Sequence, residues 1–244
     1  MDGVLRCSRY AFGPNRLHFC GPDANREIWD YVNDGFTDFG LQKLLQGFEA
    51  LYPYLMHIAR ENHLEDPFDP RVVEAYWLGN ELLGNVERAA LHRHLTDTFR
   101  LKDKYPGKPY RTLENSIGNG LLPNHNHHVI NVPHAMKGAA HEPDVAFMDQ
   151  CRVSWGTVTN VSGPSITVEY EPLWQTGDIL TLGQPIQKKL IRRLEADYDF
   201  DMLTEGQLIT MHWNIPCEVI SNAEVAKLRQ VTEDALRIAN IDKL

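Results

Sequence analysis

Two histidine-containing stretches carry residue types that could bind a metal. In LPNHNHHVINV, His125 and His127 are two residues apart, and an extended backbone over 125–132 would direct both imidazoles to one face. Two imidazoles on one face are a fair geometry for metal ligands, and the neighbouring Asn side chains could orient them. Because no third ligand is fixed by spacing, the alternative is a polar beginning to a strand that packs on the rest of the chain.

The stretch RLHFCGPD places His18 and Cys20 two residues apart, before a Gly-Pro turn. Both side chains could face the same way in an extended segment and bind a metal together. The alternative is that Cys20 packs inward as a small apolar side chain. The four cysteines of the chain include no CxxC pair, so no zinc knuckle or redox motif is present in the sequence.

A third candidate lies in the second half of the chain. The alternating pattern of CRVSWGTV predicts a short strand that begins at Cys151, and His212 closes a later strand in LITMHW. Each of these residues is either a ligand or a structural residue. A buried cysteine at a strand start and a surface histidine beside Trp213 are the simpler alternatives.

The elements that would position these residues differ between the two halves. Helical spacing of apolar residues dominates the first half, and Asp69 with Pro70 predicts a helix start. The segment 102–124 is rich in Gly, Pro and Asn and predicts an irregular connection. Short strands dominate the second half, which ends in a helix with a capping box at Ser221 and Glu224. The predicted fold class is therefore α+β.

Composition limits the functional classes. The chain has 244 residues and a formal net charge of −9, and neither half is basic, so nucleic-acid binding is not expected. No apolar run approaches the ~20 residues that cross a bilayer, and the first residues lack the apolar region of a signal peptide. We therefore expect a cytoplasmic protein with reduced thiols and no membrane partner. Motifs for nucleotide binding or hydrolysis are also missing.

The order of features in residues 150–240 resembles the HypC/HupF family of [NiFe]-hydrogenase maturation chaperones. Cys151 begins a strand, Gly156 follows, and Glu205-Gly206-Gln207 precedes a strand that His212 closes before the capped helix. The resemblance implies a small OB-like β-barrel with a C-terminal helix over 150–244. The predicted helical domain over 1–134 lies outside the resemblance.

The resemblance also implies a function. In that family the cysteine helps to hold an iron atom that carries cyanide and CO, so Cys151 would be the thiolate ligand and His212 its helper. Thiolate is a soft donor suited to such iron. The expected role is a carrier in metalloenzyme maturation, most simply of a [NiFe] hydrogenase, and the protein need not be an enzyme. Its partners would be a maturation scaffold protein and a hydrogenase large-subunit precursor.

Two other classes stay open. One is a non-haem metal-dependent enzyme in which His125, His127 and Cys20 or His18 converge with the barrel on iron or zinc. The other is a protein-interaction adaptor that binds no metal. Metal analysis and infrared spectroscopy separate the three, since only the carrier combines iron with cyanide and CO bands.

Overall fold

The computed structural model describes residues 1–132, 144–191 and 203–243. Up to residue 132 the described chain contains helices and no strand. The α-helices are α1 (Gly3–Arg16), α2 (Asn25–Asp34), α3 (Phe39–Gln46), α4 (Leu51–Glu61), α5 (Pro70–Trp77), α6 (Arg88–Arg93), α7 (Leu101–Lys104), α8 (Lys108–Gly118) and α9 (His125–Asn131). A 3-10 turn covers Glu81–Asn85, and a π-helical turn covers His94–Thr98.

The second half combines a sheet with two helices. After α10 (Val145–Cys151) come β1 (Ser154–Ser162), β2 (Ser165–Tyr170), β3 (Leu173–Thr176), β4 (Ile179–Leu182), β5 (Ile186–Ile191), β6 (Leu208–His212), β7 (Ile215–Val219), α11 (Asn222–Asn240) and a 3-10 turn (Ile241–Lys243). Five strands pair antiparallel in the order β5-β2-β1-β6-β7, and β3 pairs with β4 in a separate ribbon. The α+β fold class is confirmed. Among the described strands β5 and β7 contact each other, but no ladder joins them, so the predicted OB-like barrel is not closed by strand pairing.

Local signals explain several element boundaries. The Asp69 carboxylate accepts a hydrogen bond from the Arg71 amide at the start of α5, and Ser221 and Glu224 form the capping box of α11, as predicted. The hairpin of β1 and β2 turns at Gly163, where φ is +53°, a conformation that favours glycine.

Three predicted elements are wrong. The stretch 125–132, predicted as extended, is mostly the helix α9, because the Asn124 side chain accepts from the Asn126 amide and caps a helix start. Cys151 does not begin a strand; it is the last residue of α10, and β1 begins three residues later. The segment 102–124, predicted as irregular, contains most of α7 and all of α8.

One hydrophobic core extends through both halves. It includes Cys7 and Tyr10 of α1, Leu55 of α4, Ile209 of β6 and Leu228 of α11. The predicted domain boundary at 134–150 lies largely outside the described residues, and the division into 1–134 and 150–244 stays a prediction. None of the described helices combines the length and the apolar character that a membrane crossing requires.

Candidate metal centre

Donor atoms of His125, Cys151 and His212 lie within 4.8 Å of one another. The three residues come from the start of α9, the end of α10 and the end of β6. A tetrahedral ion with bonds of about 2.1–2.3 Å holds its ligand atoms about 3.5 Å apart, so the three donors would need to approach one another by about 1 Å. The group therefore has nearly the spacing of a metal site.

His212 carries a free donor atom inside the protein. Its Nδ1–H donates to the Tyr10 carbonyl at 2.6 Å, which fixes the neutral tautomer and leaves the lone pair on Nε2. Nε2 is buried and has no hydrogen-bond partner. Burial lowers the pKa of His212 to about 4, so the ring is neutral near pH 7. A carbonyl on one nitrogen and a bare lone pair on the other is the usual arrangement of a metal-binding histidine.

Close packing of α1 holds His212 in this position. A Cβ at Gly13 would lie 2.7 Å from the His212 carbonyl oxygen, so α1 can approach the end of β6 only with glycine there. After His212, Trp213 and Asn214 both have positive φ, +53° and +61°, and form the tight turn to β7. The Trp213 amide donates to the Gln150 carbonyl at 2.9 Å, which ties this turn to α10.

His125 is oriented by two hydrogen bonds. Its Nε2–H donates to the Cys151 carbonyl at 2.7 Å, and Nδ1 accepts from the Tyr76 hydroxyl at 3.2 Å. Asn124 links this end of α9 to α5, because its amide donates to the carbonyls of Ala75 and Tyr76. For His125 to bind an ion it must release one of its two partners. The longer bond, to Tyr76, is the weaker of the two.

Cys151 is half-buried and lies beside both histidines. Burial and, to a smaller extent, nearby Cys20 raise the pKa of its thiol to about 12, and the Trp213 indole N–H acts in the opposite direction. The thiol is protonated at neutral pH, and an ion that binds there must displace the proton.

Asn126 fixes the position of Cys151 relative to α9. Its side-chain amide donates to the Val153 carbonyl at 2.9 Å, and its side-chain oxygen accepts from the Val153 amide at 2.8 Å. The same amide donates to the Thr232 hydroxyl at 2.9 Å, which adds a link to α11. Because Asn126 is fully buried, these bonds hold the chain after Cys151 against the helix that begins with His125.

A buried ion pair supports the other side of Cys151. The Arg152 guanidinium donates to the Asp149 carboxylate at 3.0 Å, and Arg152 is 1% exposed. Asp149 also accepts from the Tyr170 hydroxyl and from the Leu173 amide. A buried pair with its remaining acceptors satisfied keeps a defined geometry, because loss of one partner would leave a buried charge. The pair anchors the end of α10 to the strands.

The three donors line a cavity of about 200 Å³. Its wall is largely apolar and includes six aromatic side chains: Phe19, Phe48, Tyr76, Trp77, Phe147 and Trp213. The Trp77 ring lies 4.7 Å from the His125 ring and 5.5 Å from the His212 ring, measured between centroids. An ion held by the three donors would therefore face a largely apolar space.

The structure separates the other predicted ligands from this group. Cys20 lines the same cavity but is not one of the three converging donors. His127 is fully buried on another side of α9, where Nδ1 accepts from the Leu122 amide at 3.3 Å and burial lowers its pKa to about 3. The His18 side chain is 64% exposed and lies 3.3 Å from the Asp23 carboxylate.

The sequence-based prediction of the site did not include Tyr76 and Trp77. The neighbouring Asn side chains were expected to orient the histidines, but Asn126 instead binds the Val153 backbone, just after Cys151. The one available signal was Asn124, a residue type that often caps helices. With this cap taken into account, the sequence predicts that His125 and Asn126 lie in a helix and not in an extended segment. In a helix, adjacent side chains diverge by about 100°, so His125 can reach Cys151 while Asn126 binds Val153.

One protein-family model matches nearly the whole chain. A model described as "Family of unknown function (DUF6390)" matches residues 1–243. This chain belongs to the DUF6390 family. No curated protein and no solved structure matches it significantly. The description of DUF6390 names no activity, so a functional argument depends on the geometry above, and the resemblance to HypC/HupF stays a hypothesis.

Proposed function

We propose that this DUF6390 protein binds one transition-metal ion through Cys151, His212 and His125 and uses the open side of that ion for chemistry in the cavity. The observation that carries the proposal is the buried Nε2 of His212. It has a lone pair and no partner, and it lies within 4.8 Å of donor atoms of Cys151 and His125. An unpaired buried polar atom is destabilising unless something binds it.

The donor set favours particular metals. One thiolate and two imidazoles suit zinc, copper and ferrous iron, whereas magnesium and calcium prefer oxygen ligands. Three protein ligands with a fourth position open is the pattern of catalytic zinc sites, and closed structural sites use four. An ion with such an open position would act as a Lewis acid. The chain's own residues orient the ligands and exclude water.

The test is reconstitution of the full chain with Zn²⁺, Co²⁺ and Fe²⁺. We expect one ion per chain and, with Co²⁺, a thiolate charge-transfer band in the near ultraviolet. Cys151→Ser should lose both, because a neutral hydroxyl is a poor donor to these ions, while its apo-form keeps its melting temperature. Cys20→Ser, in the same cavity, is the matched control and should keep both. Absence of bound metal in the unaltered protein would overturn the proposal and favour the protein-interaction adaptor that binds no metal.

A second candidate is the carrier of iron with cyanide and CO ligands that the resemblance to HypC/HupF implies. Two observations favour it: Cys151 and His212, the two positions that the resemblance names, lie together, and the cavity beside them is apolar. Its partners would be a maturation scaffold protein and a hydrogenase large-subunit precursor. Infrared bands in the cyanide and CO stretching region, in protein purified from its own cells, would favour the carrier, and metal without such bands the enzyme.

A further inference from the structure

We infer that the cavity beside the three donors binds a small neutral molecule with a hydrocarbon body and one donor atom at the end nearest His212. The donor-atom part rests on the proposed metal centre. The hydrocarbon part rests on the cavity alone. The two parts can therefore fail separately.

Size and lining define the body of the ligand. The cavity measures about 200 Å³, and six aromatic side chains contribute to its largely apolar wall. An engineered apolar cavity of about 150 Å³ in another protein stays dry and binds benzene. A space of this size and character therefore fits a monocyclic aromatic ring or a short alkyl group.

Without a bound metal ion, the charge of the lining disfavours an anionic ligand. Among the described residues that line the cavity there is no Lys or Arg, and the charged one, Glu49, is exposed at its rim. A carboxylate inside the metal-free cavity would lose hydration without gaining a cationic partner, which is strongly unfavourable. A neutral ligand loses little hydration and gains contact with the rings.

The backbone at Trp213 is strained, which indicates that the position of this ring in the cavity wall matters to the protein. The two turn positions of a tight hairpin with positive φ are normally Asn or Gly, yet here the first is a tryptophan at φ +53°. A bulky residue in that region is strained, because its Cβ approaches the following carbonyl oxygen. In return its ring contacts Phe19 at 4.6 Å and Phe147 at 4.8 Å between centroids. The strained turn places one face of the cavity.

Position of the donor atom follows from His212. Its unpartnered Nε2 is at the edge of the cavity, in a residue that is 1% exposed. With metal bound, the open coordination position would face the same space. A ligand with a neutral nitrogen at one end therefore fills the cavity and reaches the ion together.

The experiment uses three probes built on one fluorinated ring, followed by ¹⁹F NMR with the full chain, without metal and loaded with Co²⁺. Fluorobenzene has only the hydrocarbon body, 4-fluoroaniline adds a neutral donor, and 4-fluorobenzoate adds a charge. We expect fluorobenzene to bind equally with and without metal. The aniline should bind at least tenfold more tightly when Co²⁺ is present. In the metal-free protein the benzoate should bind at least tenfold more weakly than fluorobenzene.

Variants separate the possible failures. Ala50→Phe adds a ring to the cavity lining and should abolish fluorobenzene binding, whereas Ala89→Phe, on the exposed side of α6, should not change it. Cys151→Ser should keep fluorobenzene binding and lose the gain from Co²⁺. Failure of fluorobenzene to bind, or equally tight binding of benzoate to the metal-free protein, overturns the inference about the cavity even if metal binds. Fluorobenzene binding in a protein that takes up no metal overturns the proposed function and leaves the cavity site in place.

Discussion

Two groups of buried histidines in this protein show what makes a metal site. His57 and His94 stack with ring centroids 4.4 Å apart and an interplanar angle of 3°. His125 and His212 have centroids 4.9 Å apart and an angle of 79°. Imidazole lone pairs lie in the ring plane, and two nearly parallel planes share no point at which an ion could meet both. Perpendicular planes do share such points.

Hydrogen-bond partners strengthen the difference. The Arg60 guanidinium lies 3.0 Å from His57 Nδ1, and because a guanidinium only donates, the proton of His57 must be on Nε2. The Tyr10 carbonyl has the opposite effect on His212, where it takes the Nδ1 proton and leaves Nε2 bare. Both Nε2 atoms are buried without a partner. Burial of an unpaired imidazole is therefore not sufficient for a site; ring angle, tautomer and a third donor decide.

The largest expected effect comes from removing a proposed metal ligand, compared with removing a ring of the stacked pair. His212→Ala should weaken Co²⁺ or Zn²⁺ binding at least a hundredfold, about 2.7 kcal/mol, because it removes the free donor. His94→Phe should leave the affinity within twofold, since its ring faces no common point with His57. Competition titration against a chelator measures both. Equal losses in the two variants would mean that the ions bind elsewhere.

An intermediate effect is expected from the residue that positions Cys151. Asn126→Ala removes three buried hydrogen bonds and leaves the Val153 amide and carbonyl unpaired, which should lower the free energy of unfolding by about 2–3 kcal/mol. Metal affinity should also fall about tenfold, as for other residues that orient ligands.

The matched control for this variant lies at the end of α4, the helix that carries His57. Asn62→Ala also removes side-chain hydrogen bonds to the backbone, here part-buried bonds to the carbonyls of Ile58 and Leu82. It should lower stability without changing metal affinity. Chemical denaturation and chelator competition on the same samples separate the two effects. An unchanged metal affinity in Asn126→Ala would remove Asn126 from the site.

The smallest effect concerns acid stability of the stacked pair. Burial lowers the pKa of His57 to about 4 and that of His94 to about 3, with Arg60 and Arg93 lowering and Glu61 raising the former. The unfolded chain binds these protons near pH 6.5, so stability is complete above that pH and falls as the pH drops toward 4. Each ring should contribute up to about 1 kcal/mol per pH unit in this window.

Removing one ring tests that slope. His94→Phe should flatten the loss of stability between pH 6.5 and 4.5, because one buried proton acceptor is gone. His92→Phe, at a side chain that is 41% exposed, should not change the slope. Urea denaturation across this pH range measures both variants. An identical slope in His94→Phe and the unaltered protein would show that the pair does not control acid stability.

The sequence predicted local features well and long-range convergence poorly. The Asp69 cap and the Ser221–Glu224 capping box depend on neighbours within a few residues, and both were predicted. The helix α9 was missed because the alternation of His and Asn was interpreted without the cap at Asn124. Cys151 was placed on a strand because the alternating pattern of β1 was extended backwards by three residues.

Convergence of His125 with Cys151 and His212 was not predictable from spacing. The contact depends on α1 lying close to β6 at Gly13, on the Asn126 bonds to Val153, and on the turn at Trp213. Each is a tertiary feature whose residues are distant in the chain. The resemblance to HypC/HupF paired Cys151 with His212, and the spacing of the histidines in 125–127 suggested His125 as a ligand. Nothing in the sequence indicated that these three residues lie together.

The three donors also divide the chain in a way that matters for folding. His125 and Cys151 are 26 residues apart, and His212 follows roughly 60 residues later. An ion bound to all three closes two loops at once, and each closure removes freedom from the unfolded chain that would otherwise oppose folding. Before α1, α9, α10 and β6 have docked, the donors are far apart and the ion has nothing to bind. Uptake of metal at this site would therefore follow the docking of these four elements.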